Sequence, residues 1–148
     1  MLPREILTEL HMLDGMWLAG GAARKMVQGD DPFNSDLDLY FKSHEVYFRY
    51  KELMKEHGYK KTSSNKGTTK LSNNIFSLDL IKARWYASPE EVINSFDFTV
   101  CQFALDRKGE LTCGTHSKAD LKNMVLRIHN FSDPISTMRR IAKYVDLT

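Results

Sequence analysis

Two aspartates separated by one residue are the side chains in this sequence best suited to chemistry. Asp36 and Asp38 lie in the run Ser35-Asp-Leu-Asp-Leu-Tyr-Phe41, where polar and apolar residues alternate with the period of a half-buried strand. Alternate side chains of a strand project to the same face, so both carboxylates can bind hard divalent cations through oxygen. Asp79, within residues 75–81, is a candidate third carboxylate on a neighbouring strand. We therefore predict that Asp36, Asp38 and Asp79 are catalytic residues that hold two Mg²⁺ or Mn²⁺ ions.

A pair of glycines supplies a second chemical element. Gly20-Gly21 precedes a predicted helix, and bare backbone amides at a helix N-terminus can bind a triphosphate. In a two-cation site, one ion activates an attacking hydroxyl and the other neutralises the leaving pyrophosphate. The order of these features favours nucleotidyl transfer. Simpler alternatives stay open, because Asp-x-Asp is common at solvated strand edges, Gly-Gly usually marks a turn, and Asp79 could pair with a nearby lysine.

The elements that must position these residues are indicated by hydrophobic periodicity and by turn residues. Helices are predicted over residues 3–13, 22–28, 44–57, 117–122 and 133–144, with a further one capped by Ser88. Strands are predicted over residues 16–19, 36–41 and 75–81, and turns over 30–34 and 107–109. A polar hairpin is predicted over 59–72, turning near 65–67, and an apolar segment covers 98–105. This pattern predicts an α+β fold in which a small mixed β-sheet is flanked by helices.

Length and composition indicate one folded domain. The chain has 148 residues, 42% of them apolar and 27% charged, with a formal net charge of +2. These values are typical of a globular protein and do not mark an obligate nucleic-acid binder. We predict a single domain over residues 1–148. Because no apolar run is long enough for a membrane span or an export signal, we expect a cytoplasmic protein that does not bind a membrane.

Several short motifs follow one another along the chain, namely Leu18-Ala-Gly-Gly-Ala-Ala-Arg24 with Gly29, Ser35-Asp-Leu-Asp-Leu39, residues 79–84, Asp97-Phe-Thr-Val, Gly109-Glu-Leu, residues 120–127, and Asp133-Pro-Ile-Ser-Thr-Met-Arg139. Taken in order, they resemble the catalytic head of tRNA CCA-adding enzymes and bacterial poly(A) polymerases in the nucleotidyltransferase superfamily. The resemblance implies transfer of a nucleoside monophosphate from an NTP such as ATP to a hydroxyl, first of all at a tRNA-like RNA 3′ end. It also implies a nucleotide site formed by Gly20, Gly21, Arg24, Lys25, Asp97, Arg139 and Arg140.

The sequence also departs from the family pattern. Ser95-Phe96 stands where the family has an Arg-Arg pair before Asp97, and Lys25 replaces an aspartate. The chain ends just past the last head motif, so we expect a head domain whose missing neck and body are replaced by a partner protein or a homo-oligomer. Two alternatives remain at this stage: nucleotidyl transfer to a protein or small molecule, and a non-catalytic nucleotide-binding regulatory module.

Overall fold

A computed structural model describes residues 3–30, 32 and 35–147 of the chain. Its helices are α1 (Pro3–Leu10), α2 (Gly21–Gln28), α3 (His44–Glu56), α4 (Pro89–Asn94), α5 (Ser117–Lys122) and α6 (Pro134–Leu147). Its strands are β1 (Met16–Ala19), β2 (Leu37–Phe41), β3 (Lys60–Ser64), β4 (Thr68–Ser72), β5 (Ser77–Ile81), β6 (Phe103–Leu105) and β7 (Leu111–Cys113).

The described strands form one mixed sheet in the order β3-β4-β5-β2-β1-β6-β7. β2 and β5 run parallel, whereas the other neighbouring pairs are antiparallel. β2 and β5 therefore lie near the middle of the sheet, with the exposed strand β3 at one edge. The predicted α+β fold with a mixed sheet flanked by helices is confirmed.

The two faces of the central strands differ in polarity. Leu37, Leu39 and Phe41 of β2 are buried on one face, where they join a core that includes Leu10 of α1 and Tyr50 of α3. Burying a side chain of this size contributes about 1.5–3 kcal/mol, so this face fixes the register of β2. The alternate residues of the strand, Asp38 and Tyr40, lie on the other face. The period-2 pattern thus places Asp38 on the face away from the main core.

Most element boundaries follow the sequence signals. Ser88 caps α4, since its hydroxyl accepts a hydrogen bond of 3.3 Å from the Glu91 amide, and Gly29 ends α2 with φ of 78°. The first helix is shorter than predicted, because the chain leaves the helix at His11, which has φ of 49°. The predicted turn over residues 30–34 lies largely outside the described residues.

The apolar segment over residues 98–105 is divided between two elements. A 3₁₀ turn covers Thr99–Cys101, and the short strand β6 follows it. The last helix continues to Leu147, beyond its predicted end at residue 144. Among the described residues, no helix is both long enough and apolar enough to cross a lipid bilayer.

A buried hydroxyl joins α3 to the end of α1. Tyr50 is fully buried and donates a hydrogen bond of 2.7 Å to the Leu10 carbonyl. We expect Tyr50→Phe to lower the free energy of unfolding by about 1–2 kcal/mol, because a buried carbonyl loses its donor while the ring packing stays. Urea denaturation measures the difference. Tyr86→Phe is the matched control, since the Tyr86 hydroxyl has no hydrogen-bond partner among the described residues, and an equal loss there would contradict the assignment.

Candidate active site

A row of paired residues crosses the sheet and contains two of the predicted carboxylates. Asp38 of β2 pairs with Ala19 of β1 on one side and with Asp79 of β5 on the other. Asp79 in turn pairs with Lys70 of β4. Directly paired residues point to the same face and have close Cβ atoms. The fold therefore brings Asp38 and Asp79 together, as the sequence predicts, and adds a lysine.

Lys70 forms the main polar contacts within this row. Its ammonium donates a hydrogen bond of 2.7 Å to Oδ2 of Asp36, which lies just before β2. The same ammonium is 3.5 Å from Oδ1 of Asp79. Oδ1 of Asp79 is buried and has no hydrogen-bond partner in the described residues. The possibility weighed from the sequence, that Asp79 pairs with a nearby lysine, is thus realised together with the carboxylate cluster.

The three carboxyl groups differ in their proton affinities. Burial, together with the charges of Asp79 and Asp36, raises the pKa of Asp38 to about 7. Burial and the charge of Asp36 also raise the pKa of Asp79, whereas the hydrogen bond from Lys70 lowers the pKa of Asp36. Burial and neighbouring carboxylates raise the pKa of Asp38 and Asp79, and a lysine donor lowers that of Asp36. The cluster has more negative charge than Lys70 alone balances.

The glycine turn brings backbone next to Asp38. Gly20 has φ of 78° and ψ of −143°, a conformation that side chains rarely adopt, and a Cβ added there would lie 3.5 Å from Oδ2 of Asp38. A Cβ on Gly21, the first residue of α2, would meet nothing within 4 Å. No acidic residue lies in the first turn of α2 and no side chain caps it. The N-terminus of α2 is therefore positive and open beside the carboxylates.

Arg24 and Lys25 extend from α2 in different directions. Lys25 donates a short hydrogen bond to the Ser35 hydroxyl, next to Asp36. The Arg24 guanidinium carbon is 5.8 Å from the ring centroid of Tyr144 in α6, and its buried Nε lacks a hydrogen-bond partner. Arg24 also lines a cavity of about 320 Å³ between α2, α5 and α6. Lys25 thus bonds the residue that precedes Asp36, whereas Arg24 faces α6.

The last helix contacts the site region through Arg140. Its guanidinium lies 3.2 Å from both carboxylate oxygens of Asp97, which is 8% exposed. The Thr137 hydroxyl also donates to Asp97, at 3.4 Å, and the positive charge of Arg140 acts against the rise in the pKa of Asp38. Arg139 is exposed and makes no such contact among the described residues. Of the two arginines of α6 predicted to bind nucleotide, Arg140 is therefore the one that faces the site.

The residues fit a divalent cation in charge and ligand type. Among residues 3–30, 32 and 35–147, no three or more His, Cys, Asp and Glu side chains are grouped so that they could hold a metal ion as they stand. A hard cation with oxygen ligands would nevertheless satisfy the buried Oδ1 of Asp79, which makes no hydrogen bond among the described residues, and the crowded charge at Asp38. The predicted metal site, with its Mg²⁺ or Mn²⁺, remains a prediction.

Sequence reasoning missed Lys70 and Tyr144 as members of this region. Lys70 lies in a polar hairpin whose register the sequence does not specify. Tyr144 contacts residues far away in sequence, with its hydroxyl 2.7 Å from the Cys101 sulfur. The alternation of Thr69, Lys70 and Leu71 was the available signal, because it places Lys70 on the face opposite to its buried neighbours.

A family model described as "Gabija anti-defense 2 family protein" matches residues 4–123. A curated relative, "Gabija anti-defense 2" of Bacillus phage SPbetaL7, is 30% identical over 133 residues, which are 87% of this chain. The chain spans only 32% of the length of that relative. The matched region contains the carboxylates, the glycine turn and Lys70, whereas α6 lies beyond the family-model match.

Solved structures with a similar fold are tRNA-processing enzymes. One, described as "tRNA-processing enzyme (apo form I)", has a TM-score of 0.72 and 25% identity, covering 91% of this chain and 40% of its own. The Thermotoga maritima CCA-adding enzyme complexed with tRNA has a TM-score of 0.70 and 21% identity, covering 95% and 36%. A CCA-adding enzyme with ATP has a TM-score of 0.73 and 20% identity, covering 96% and 36%. These similarities confirm the predicted nucleotidyltransferase-like fold.

The raised pKa of Asp38 gives a pH-dependent stability. An unfolded aspartate ionises near pH 3.8, whereas folded Asp38 ionises near pH 7, so stability from this group is lost as pH rises through that window. In chelator, we expect Asp38→Asn to gain about 1–3 kcal/mol of stability relative to the wild type between pH 5 and pH 8. Thermal and urea unfolding at both pH values measure this. A pH-independent difference would contradict the assignment, and Asp14→Asn, at an exposed position, is the control.

Proposed function

The chain belongs to the Gabija anti-defense 2 family, and we propose that it is a metal-dependent nucleotidyltransferase used to counteract the defence for which that family is named. The coarse level of this proposal, nucleotidyl transfer, is supported by the similar solved structures, which include a tRNA nucleotidyltransferase complexed with a primer tRNA and an incoming ATP analog. The observation that carries it is the placement of Asp38 between the Gly20 turn and Asp79.

The carboxylates are proposed to hold the metal ions. Asp38 and Asp79 face each other across paired strands, and Asp36 lies two residues from Asp38 on the same side of the chain. Bound Mg²⁺ or Mn²⁺ would activate the acceptor hydroxyl and neutralise charge on the pyrophosphate. The contribution of the chain is to hold three oxygen-bearing side chains on one face of a rigid sheet, which fixes where the acceptor oxygen and the α-phosphate meet.

The triphosphate is proposed to lie along the start of α2. The open N-terminus at Gly21 offers backbone amides and a positive dipole end, and the bare Gly20 lets the phosphates approach Asp38. Arg140 supplies positive charge from the other side, held in place by Asp97. In this arrangement Asp97 acts by orienting Arg140. Lys25, bonded to the Ser35 hydroxyl, adds positive charge near the phosphates.

An RNA 3′ end is the first candidate acceptor. Two of the similar solved structures contain tRNA, and the exposed edge strand β3, which pairs with the Lys70 strand β4, carries Lys60 and Lys61. A protein hydroxyl within the defence is the second candidate, because the family is named for anti-defense and not for tRNA maturation. Both acceptors offer the same reacting group, an oxygen that loses its proton as the new phosphate ester forms.

A partner protein or a second copy is proposed to cover the segment around α6. Large apolar side chains are exposed there, namely Met124, Ile128, Phe131, Ile135 and Met138. Several exposed apolar side chains in one segment of the chain are typical of an interaction site. Light scattering over a range of concentrations distinguishes self-association from a requirement for another protein.

A labelling assay tests the reaction. The protein is incubated with each α-³²P-labelled NTP, Mn²⁺ or Mg²⁺, and either total RNA or a protein extract from cells that carry the defence. We expect one macromolecular pool to be labelled, and Asp38→Asn to lower the rate at least about 100-fold, because the site loses a metal-binding charge. Asp14→Asn should label as the wild type does.

The pattern of label decides between the candidates. Label in RNA alone supports the first acceptor, and label in protein alone supports the second. If labelled NTP binds in equilibrium dialysis but no pool is labelled, and Asp38→Asn still counteracts the defence in cells, the protein is a nucleotide-binding regulator and the proposed activity is wrong.

The two neighbouring arginines of α6 give a matched comparison. Arg140→Gln should raise the KM for NTP about tenfold, because the site loses the positive charge that Asp97 holds toward the triphosphate. Arg139→Gln should change the KM less than about twofold. Steady-state kinetics on the acceptor found above measures both. Equal effects, or a larger effect of Arg139→Gln, would contradict the assignment of Arg140.

A further inference from the structure

Lys70 lies where a cation between Asp36 and Asp79 would lie. It is the strand partner of Asp79, and its ammonium is 2.7 Å from Asp36 and 3.5 Å from Asp79. Its side chain is 33% exposed, and its buried neighbours Thr69 and Leu71 hold the strand in place without it. The ammonium can therefore leave the carboxylates without disturbing the packing of β4.

The electrostatic situation at these carboxylates differs with and without a divalent cation. Without one, Asp36, Asp38 and Asp79 repel one another, and the Lys70 ammonium is the compact positive charge that offsets this repulsion. A Mg²⁺ ion would bind the same carboxylates at about 2.0–2.1 Å, so it would lie within a few ångströms of the ammonium. Two positive charges at that separation repel strongly in a half-buried site.

We infer that Lys70 is an internal counter-ion that competes with a divalent cation for Asp36 and Asp79 and moves away from them when the cation binds. This inference rests on the proposed metal site. It gives the chain a defined metal-free state, in which the Lys70 ammonium occupies the place of a cation between the two carboxylates. It also means that the free protein binds metal more weakly than the same carboxylates would without the lysine.

Metal affinity tests the competition directly. Mn²⁺ alone is titrated into chelator-treated full-length protein and followed by calorimetry and by the loss of the free-ion EPR signal. Lys70→Met should lower the Kd for Mn²⁺ about 5- to 30-fold, because one competing positive charge is removed from the site. Lys82→Met is the matched control: it removes the same charge at the end of β5, where the ammonium bonds the Ser64 hydroxyl, and should change the Kd less than about twofold.

The movement of Lys70 has its own readout in the wild-type protein. Acylation of lysines, located by mass spectrometry, should be at least about threefold faster at Lys70 with saturating Mn²⁺ than in chelator, because the amine leaves its carboxylate partners. Lys82 should react equally under both conditions. This measurement decides the question if Lys70→Met does not fold, which circular dichroism and thermal unfolding would reveal.

The outcomes separate this inference from the proposed function. If Mn²⁺ binds the wild type and Lys70→Met equally, and acylation of Lys70 does not change, Lys70 is not a competitor and the metal site stands. If Lys70→Met binds Mn²⁺ more weakly, Lys70 assists binding and the inference is wrong. If Mn²⁺ binds neither protein, the proposed metal site fails and the inference fails with it.

Discussion

Parallel pairing of β2 with β5 places Asp38 directly beside Asp79, and most features of the site follow from that contact. Two carboxylates at this separation repel each other, and burial together with the charge of Asp79 raises the pKa of Asp38. The fold tolerates the contact because the opposite face of the same strands is packed with Leu37, Leu39 and their neighbours. Hydrophobic burial therefore fixes a register that the polar face alone would oppose.

The positive groups around the carboxylates come from separate parts of the chain. Lys70 comes from β4, the open N-terminus of α2 follows the Gly20 turn, and Arg140 comes from the last helix. Only Lys70 contacts the carboxylates directly. The N-terminus of α2 adds its positive dipole end beside the carboxylates, and Arg140 is paired with Asp97 while its charge acts on Asp38. The charge of Asp36 is thus offset by Lys70, whereas Asp38 has no directly bonded cation among the described residues.

Local signals were sufficient to predict much of this arrangement. The alternation around Asp36 and Asp38, the Gly20-Gly21 turn and the caps of α2 and α4 each act over a few residues, so sequence alone indicates them. The pairing of Lys70 with Asp79 depends on strand register, and the choice of Arg140 over Arg139 depends on the angle at which α6 packs. Both are set by tertiary packing between segments far apart in sequence, which local patterns do not encode. The division of residues 98–105 into a turn and a strand has the same origin.

The contacts of Asp97 illustrate how this chain uses one motif that resembles the CCA-adding head. The Asp-Phe-Thr motif is present, but its aspartate binds Arg140 and Thr137 of α6. Asp97 is nearly buried, and the backbone amides of His129 and Asn130 donate to its carbonyl, so the motif joins three segments of the chain. One guanidinium nitrogen of Arg140 lies 3.2 Å from both carboxylate oxygens of Asp97, and the Thr137 hydroxyl donates to one of them. Asp97, which the resemblance assigns to the nucleotide site, is thus the carboxylate that pairs with Arg140 of α6 in the described structure.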